Sequence, residues 1–204
     1  LDLEDSVPLS EKDNARIIVR NALCIADFNG AERMVRINPG TKGLTDLKYI
    51  IAQNVHVVLV PKVENGEQII EIDNTINEIM KANNRKEKVF IIPIIESARG
   101  VLNALNIAES SPNIVALTIG LEDYAKDLGI NNTTSGEESY FARSMVLHAA
   151  KAVGIQALGS VHGNFRDEKS SKKHLTGSAK TYKSILQKIG STETHISVIS
   201  YLHE

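Results

Sequence analysis

The sequence has a single cysteine, Cys24, and no tryptophan, and its aromatic content is only 4%. One cysteine cannot form an internal disulfide, so the natural reading is a reducing compartment, the cytoplasm. Cys24 lies in the apolar stretch Asn21–Ala26 and is expected to be a buried, inert thiol. No apolar run approaches the ~20 residues that a membrane helix needs. Leu1–Leu3 lack the basic and apolar regions of a signal peptide and read as the middle of a strand, so the chain is expected to begin inside a fold. No basic stripe is interleaved with aromatics, and the net charge is -2, which argues against a nucleic-acid partner. No Gly-x-Gly-x-x-Gly follows any apolar run, which weakens a dinucleotide-binding reading.

What is present is a repeated alternation. Short runs rich in Val and Ile recur at Leu1–Leu3, Met34–Ile37, Val55–Val60, Val89–Ile95, Ile114–Ile119 and Ile155–Val161. Most are continuous rather than alternating, as expected of parallel strands buried on both faces. Helical stretches fall between them: Ser10–Ile25, Thr45–Gln53, Gly66–Asn83, Arg99–Ser110 and Glu137–Val153, the last with Ser135 as its expected N-cap. Strand–helix alternation predicts an α/β fold, either an open sheet or a closed barrel.

The strand ends carry the chemistry. The first run ends in Glu4 and Asp5, the second carries Arg36, the third ends at Lys62, the fourth at Glu96, and the fifth is followed by Glu122 and Asp123. In a barrel such ends converge on one face. An isolated acid there would be no more than a helix-start residue favoured by the macrodipole. Glu96 follows the apolar run Val89–Ile95 and is expected to be partly buried, where a carboxylate needs a partner or a metal. Carboxylate donors without Cys or His suit Mg²⁺ or Mn²⁺ rather than zinc. His56 is expected to be a packed core residue, His148 to be structural or half-exposed, and His162, His174, His195 and His203 are too dispersed for a ligand set. A strand-end lysine can form a Schiff base, but the neighbouring acids should keep Lys62 protonated and ion-paired.

Six segments carry a family resemblance: LDLEDSVPLSEKDNAR (1–16), VRINP (35–39), LVPKVEN (59–65), PIIESARGVLNALNIA (93–108), LTIGLEDYAKDLG (117–129) and SGEESYFARSMVLHAAKAVGIQAL (135–158). Taken in order, they resemble the citrate lyase beta chains of the HpcH/HpaI aldolase and citrate lyase superfamily. The resemblance implies a parallel (β/α)8 barrel, with residues 1–165 as the lyase domain. It implies Mg²⁺ held by Glu96 and Asp123, and Arg36 gripping a substrate carboxylate. Glu4, Asp5 and Lys62 are candidates for the surrounding shell. The implied reaction is cleavage of a citryl thioester, carried on an acyl carrier protein, to oxaloacetate and an acetyl thioester, within an oligomer containing other citrate lyase subunits. A malyl- or citramalyl-CoA lyase, a 2-keto acid aldolase or a non-catalytic subunit would carry the same residues. Against the family pattern, Gly159 stands in place of an aspartate, residues 166–204 form a divergent tail, and the first and last strand regions of the barrel are expected to be missing or altered.

Overall fold

The computed structural model describes residues 1–133 and 136–160. Its centre is a parallel sheet of five strands in sequential order: β1 (Met34–Arg36), β2 (Val57–Val60), β3 (Phe90–Ile95), β4 (Ala116–Ile119) and β5 (Gln156–Leu158). Leu1–Leu3 run beside β1 without forming a full strand. Asp2 makes a parallel bridge to Arg36, and Leu3 N–H donates to the Arg36 carbonyl at 2.9 Å. This sequential parallel order is the arc of an α/β barrel, and it agrees with the expected fold.

Continuous apolar strands follow from burial on both faces. Val58, Val60, Ile91, Ile95, Leu117 and Ile119 join the core beneath the helices, while Val57, Leu59, Ile92, Ile94, Ala116 and Leu158 form a second cluster on the other face. Helices α1 (Lys12–Ile25), α2 (Gly40–Ile50), α3 (Gly66–Ala82), α4 (Ala98–Leu102), α5 (Ala104–Glu109), α6 (Leu121–Leu128) and α7 (Tyr140–Ala152) fill the connections. Parallel strands require such crossovers.

Local chemistry sets the helix ends. α3 starts in a reciprocal capping box in which the Asn65 side chain accepts from Gln68 N–H and the Gln68 side chain accepts from Asn65 N–H. Ser97 caps α4 by accepting from Gly100 N–H at 3.1 Å. The stretch expected as one helix over Arg99–Ser110 is broken at Asn103, whose side chain instead donates to the Glu64 carbonyl at 2.7 Å. α2 begins at Gly40, earlier than expected. Ser10 does not cap α1; it lies in a preceding 3-10 turn, Leu9–Glu11. Ser135, Val161, His162, His174, His195, His203 and the tail 166–204 lie outside the described residues.

Three further expectations are corrected. Cys24 is exposed, because α1 turns Val19 and Leu23 inward and leaves the thiol on the outer face, near Gln53 Oε1 at 2.7 Å. His56 is half-buried rather than a core residue, and it pairs with Arg33. His148 is exposed on α7, its Nδ1 2.7 Å from the Ser144 carbonyl oxygen.

Candidate active site

Because the strands are parallel and in near-level register, the residues after their C-terminal ends meet at one edge of the sheet. Arg36 pairs in register with Leu59, Val60 with Pro93, and Ile95 with Ile119. The next positions along the chain bring Lys62, Glu96 and the first turn of α6 together.

The Asp-Leu-Glu-Asp opening forms one wall. Asp2 takes the Arg36 guanidinium side-on, with Nε donating to Oδ1 at 2.8 Å and Nη2 to Oδ2 at 2.5 Å. Its carboxylate also accepts from the backbone N–H of Glu4 at 3.0 Å and of Ser6 at 3.3 Å. Burial alone would raise its pKa, but the Arg36 hydrogen bonds and these backbone donors outweigh it and hold the carboxyl far below the usual range. Arg36 Nη1 points onward, 2.9 Å from Glu4 Oε2 and 3.8 Å from Asp5 Oδ2. Glu4 is buried, and its Oε2 accepts no hydrogen bond, so the contact with Arg36 is charge proximity rather than an aligned bond. Lys12 closes this wall by donating to the carbonyls of Leu3 at 2.7 Å and Glu4 at 2.6 Å.

Lys62 forms the floor. Its φ of 55° lies in the left-handed region, a strain of ~1–2 kcal/mol for a residue with a side chain. In that conformation its N–H donates to Glu96 Oε2 at 3.3 Å, while Nζ lies 3.3 Å from Glu4 Oε1 and 3.7 Å from Asp123 Oδ2. Burial works against the Lys62 ammonium, but the Glu4 and Asp123 carboxylates outweigh it and its pKa is raised. This agrees with the expected ion-paired lysine and runs against a Schiff-base role, which needs a neutral amine.

Glu96 is 8% exposed and sits against Gly120, where a Cβ would fall 2.7 Å from both its Cγ and Oε1. A glycine is therefore required behind the carboxylate. Burial, with the like charges of Glu4 and Asp123, pushes the Glu96 carboxyl up to about 7. Asp123 occupies the first turn of α6, with Oδ1 receiving a 2.7 Å hydrogen bond from Lys126, which is the main reason its pKa is lowered. Asp127, one turn further along α6, accepts from Ala98 N–H at 2.8 Å. That bond ties the helix bearing Asp123 to the loop that follows Glu96.

All six residues singled out in the sequence (Glu4, Asp5, Arg36, Lys62, Glu96 and Asp123) thus line one edge of the sheet. Asp5 is the least engaged. Glu4 is held by ion pairs to Arg36 and Lys62. Asp2 and Asp127 were missed. Asp2 belongs to a strand-like run, and its signal was the parallel alignment of that run with Arg36. Asp127 falls where the sequence reading marked no element. Gly159 supplies its backbone carbonyl, 3.5 Å from Thr118 Oγ1.

The donor set fits a hard divalent cation. The Glu4 and Asp123 carboxyls raise the pKa of Glu96, and a buried Glu4 oxygen has no hydrogen-bond donor. Among the described residues no cluster of three or more His, Cys, Asp or Glu side chains is arranged to hold a metal by itself. Such an ion would complete its oxygen shell with water and substrate, as Mg²⁺ commonly does.

The sequence profile of the HpcH/HpaI aldolase/citrate lyase family matches residues 1–182. The chain is 38% identical over 170 residues to citrate lyase subunit beta of Haemophilus influenzae, covering 82% of this chain and 58% of that protein. It is 30% identical over 180 residues to mitochondrial citramalyl-CoA lyase of Rattus norvegicus, covering 82% of this chain and 53% of that one. The chain therefore spans less than two thirds of the length of these relatives. Among solved structures, the citrate lyase beta subunit of Mycobacterium tuberculosis complexed with oxaloacetate and magnesium superposes with a TM-score of 0.68 at 25% identity, covering 98% of this chain and 79% of that one.

Proposed function

Because this chain belongs to the HpcH/HpaI aldolase/citrate lyase family, we propose that it carries the site of a Mg²⁺-dependent carbon–carbon lyase acting on a citryl thioester. The thioester is borne by an acyl carrier protein, and the products are oxaloacetate and an acetyl thioester. The chain works in the cytoplasm beside other citrate lyase subunits. Residues 1–165 form the lyase domain, and 166–204 are a tail apart from it. The observation that carries this reading is the meeting of Glu96 and Asp123 with Arg36 at the C-terminal edge of the parallel sheet.

Glu96 and Asp123 would hold the ion. When bound, it polarises the substrate hydroxyl and its neighbouring carboxylate as a Lewis acid. The chain's own groups do the rest. Arg36, clamped by Asp2 through Nε and Nη2, directs Nη1 into the site, where it can donate to a substrate carboxylate. Glu4 is the group that such a carboxylate would displace from Nη1. Lys62 adds a second positive charge that stabilises the negative charge developing as the bond breaks. In the cleavage the hydroxyl loses its proton as the carbon–carbon bond opens. The hydroxyl carbon becomes the keto carbon of oxaloacetate, and the departing enolate takes up a proton to become the acetyl thioester.

The test is Mg²⁺-dependent release of oxaloacetate from a citryl thioester by the chain and by its Glu96→Ala and Asp123→Ala variants. Turnover lost in both variants supports the reading. A folded chain that binds Mg²⁺ but releases no oxaloacetate leaves a non-catalytic subunit. The similarity to a citramalyl-CoA lyase favours one second reading, in which the same site cleaves a citramalyl or malyl thioester. Product analysis on a panel of these thioesters separates the two, pyruvate or glyoxylate marking the alternative.

A further inference from the structure

Lys62 joins the acids of the site to one another. Its left-handed backbone delivers the ammonium between Glu4 Oε1, at 3.3 Å, and Asp123 Oδ2, at 3.7 Å, while its N–H reaches Glu96 Oε2. These acids come from separate parts of the chain: the opening loop, the end of β3 and the first turn of α6. Arg36 is committed to Asp2 and faces Glu4 from the other side. Lys126 takes the other oxygen of Asp123, but from the exposed rim, with a side chain 74% accessible. Among the described residues Lys62, with a side chain 47% accessible, is thus the cation that spans Glu4 and Asp123.

The geometry points to Lys62 as a tethered counter-cation, anchored at Glu4, that competes with the metal for the Asp123 carboxylate and, once displaced, pairs with the anionic substrate. This rests on the metal site proposed above and adds to it an energetic link between metal and substrate. An ammonium close to a divalent ion repels it, so Lys62 weakens metal binding in the absence of an anion. A dicarboxylate brings the negative charge that relieves the repulsion. Metal and substrate then strengthen each other's binding, and the coupling is reciprocal. A left-handed lysine suits this task, because the backbone hydrogen bond to Glu96 fixes where the side chain starts and leaves its four-carbon stem free to swing.

The experiment is calorimetric titration of Mg²⁺ into the full chain, with and without saturating oxaloacetate, using the unmodified protein and Lys62→Met, Lys62→Arg and Lys126→Met variants. Removing the Lys62 charge should tighten Mg²⁺ binding without oxaloacetate by roughly tenfold, and should shrink the further gain that oxaloacetate brings. Lys62→Arg keeps the charge and should stay near the unmodified values. Lys126→Met, which removes a solvent-screened charge, should change the affinity by less than about threefold. The inference is overturned if the unmodified chain binds Mg²⁺ while Lys62→Met binds it equally well or more weakly, or if the oxaloacetate gain is the same in both. Failure of the metal site itself looks different: the unmodified chain then binds no Mg²⁺, or Glu96→Gln binds it equally well, and this inference falls with it.

Discussion

At the scale of single residues, Glu96 sets the pH behaviour. Its carboxyl is pushed from 4.5 to about 7 in the metal-free fold. That difference corresponds to a penalty on the order of 3 kcal/mol on the charged form. A carboxyl with a raised pKa binds protons better in the folded than in the unfolded chain. Its contribution to stability is therefore complete below the unfolded value and is lost as pH rises through about 7. Without divalent ions, Glu96→Gln should melt at a higher temperature than the unmodified chain at pH 8, and the two should converge near pH 5. Thermal melts across that range check this, and a variant that gains nothing at pH 8 would contradict the buried, charge-crowded carboxylate. Protons should also compete with Mg²⁺, so its affinity should fall as pH is lowered from 8 to 6. Asp2 is the acid that holds Arg36 side-on. Asp2→Asn removes one half of the guanidinium clamp, and KM for the thioester should rise by roughly tenfold. Steady-state kinetics read this directly, provided that Mg²⁺ affinity stays unchanged.

At the scale of elements, the site depends on how the strand-end loops are tied. Asp46 on α2 is fully buried, accepts from Arg16 Nε of α1 at 2.6 Å, and takes both the N–H and the side-chain amide of Asn38, two residues beyond Arg36. Asp46→Ala removes the buried partner of Arg16, leaves it the exposed Asp13, and should cost about 3 kcal/mol in denaturant unfolding. Gly120→Ala tests the opposite side, since its methyl would fall on Glu96. Mg²⁺ affinity should drop in this variant more than stability does. The strands themselves were legible, because burial on both faces leaves continuous Val and Ile runs such as Ile91–Ile95. The helix break at Asn103 was not legible, because its polar side chain finds a partner, the Glu64 carbonyl, that lies 39 residues away. α6 was read only as the polar end of a strand, because its eight residues closely follow β4 and only Leu121, Tyr124 and Ala125 of them are buried. Cys24 was misread because an apolar neighbourhood along the chain says nothing of which side of a helix faces out.

At the scale of the whole molecule, among the described residues the contacts that place Glu4, Arg36, Lys62, Glu96 and Asp123 come from residues before position 130. The sheet nevertheless continues to β5, which pairs with β4 through Thr118 and Leu158. If residues 1–165 are the lyase domain, a chain ending at 165 should keep its Mg²⁺ affinity within about twofold. An ion that binds only the folded state stabilises it by about 2.7 kcal/mol at a hundredfold excess over Kd. The shortened and full chains should then show the same Mg²⁺-induced rise in melting temperature, and Asp123→Asn should show little in either. A shortened chain that melts normally but gains nothing from Mg²⁺ would place part of the metal site beyond residue 165. One that fails to fold would instead make residues beyond 165 part of the domain.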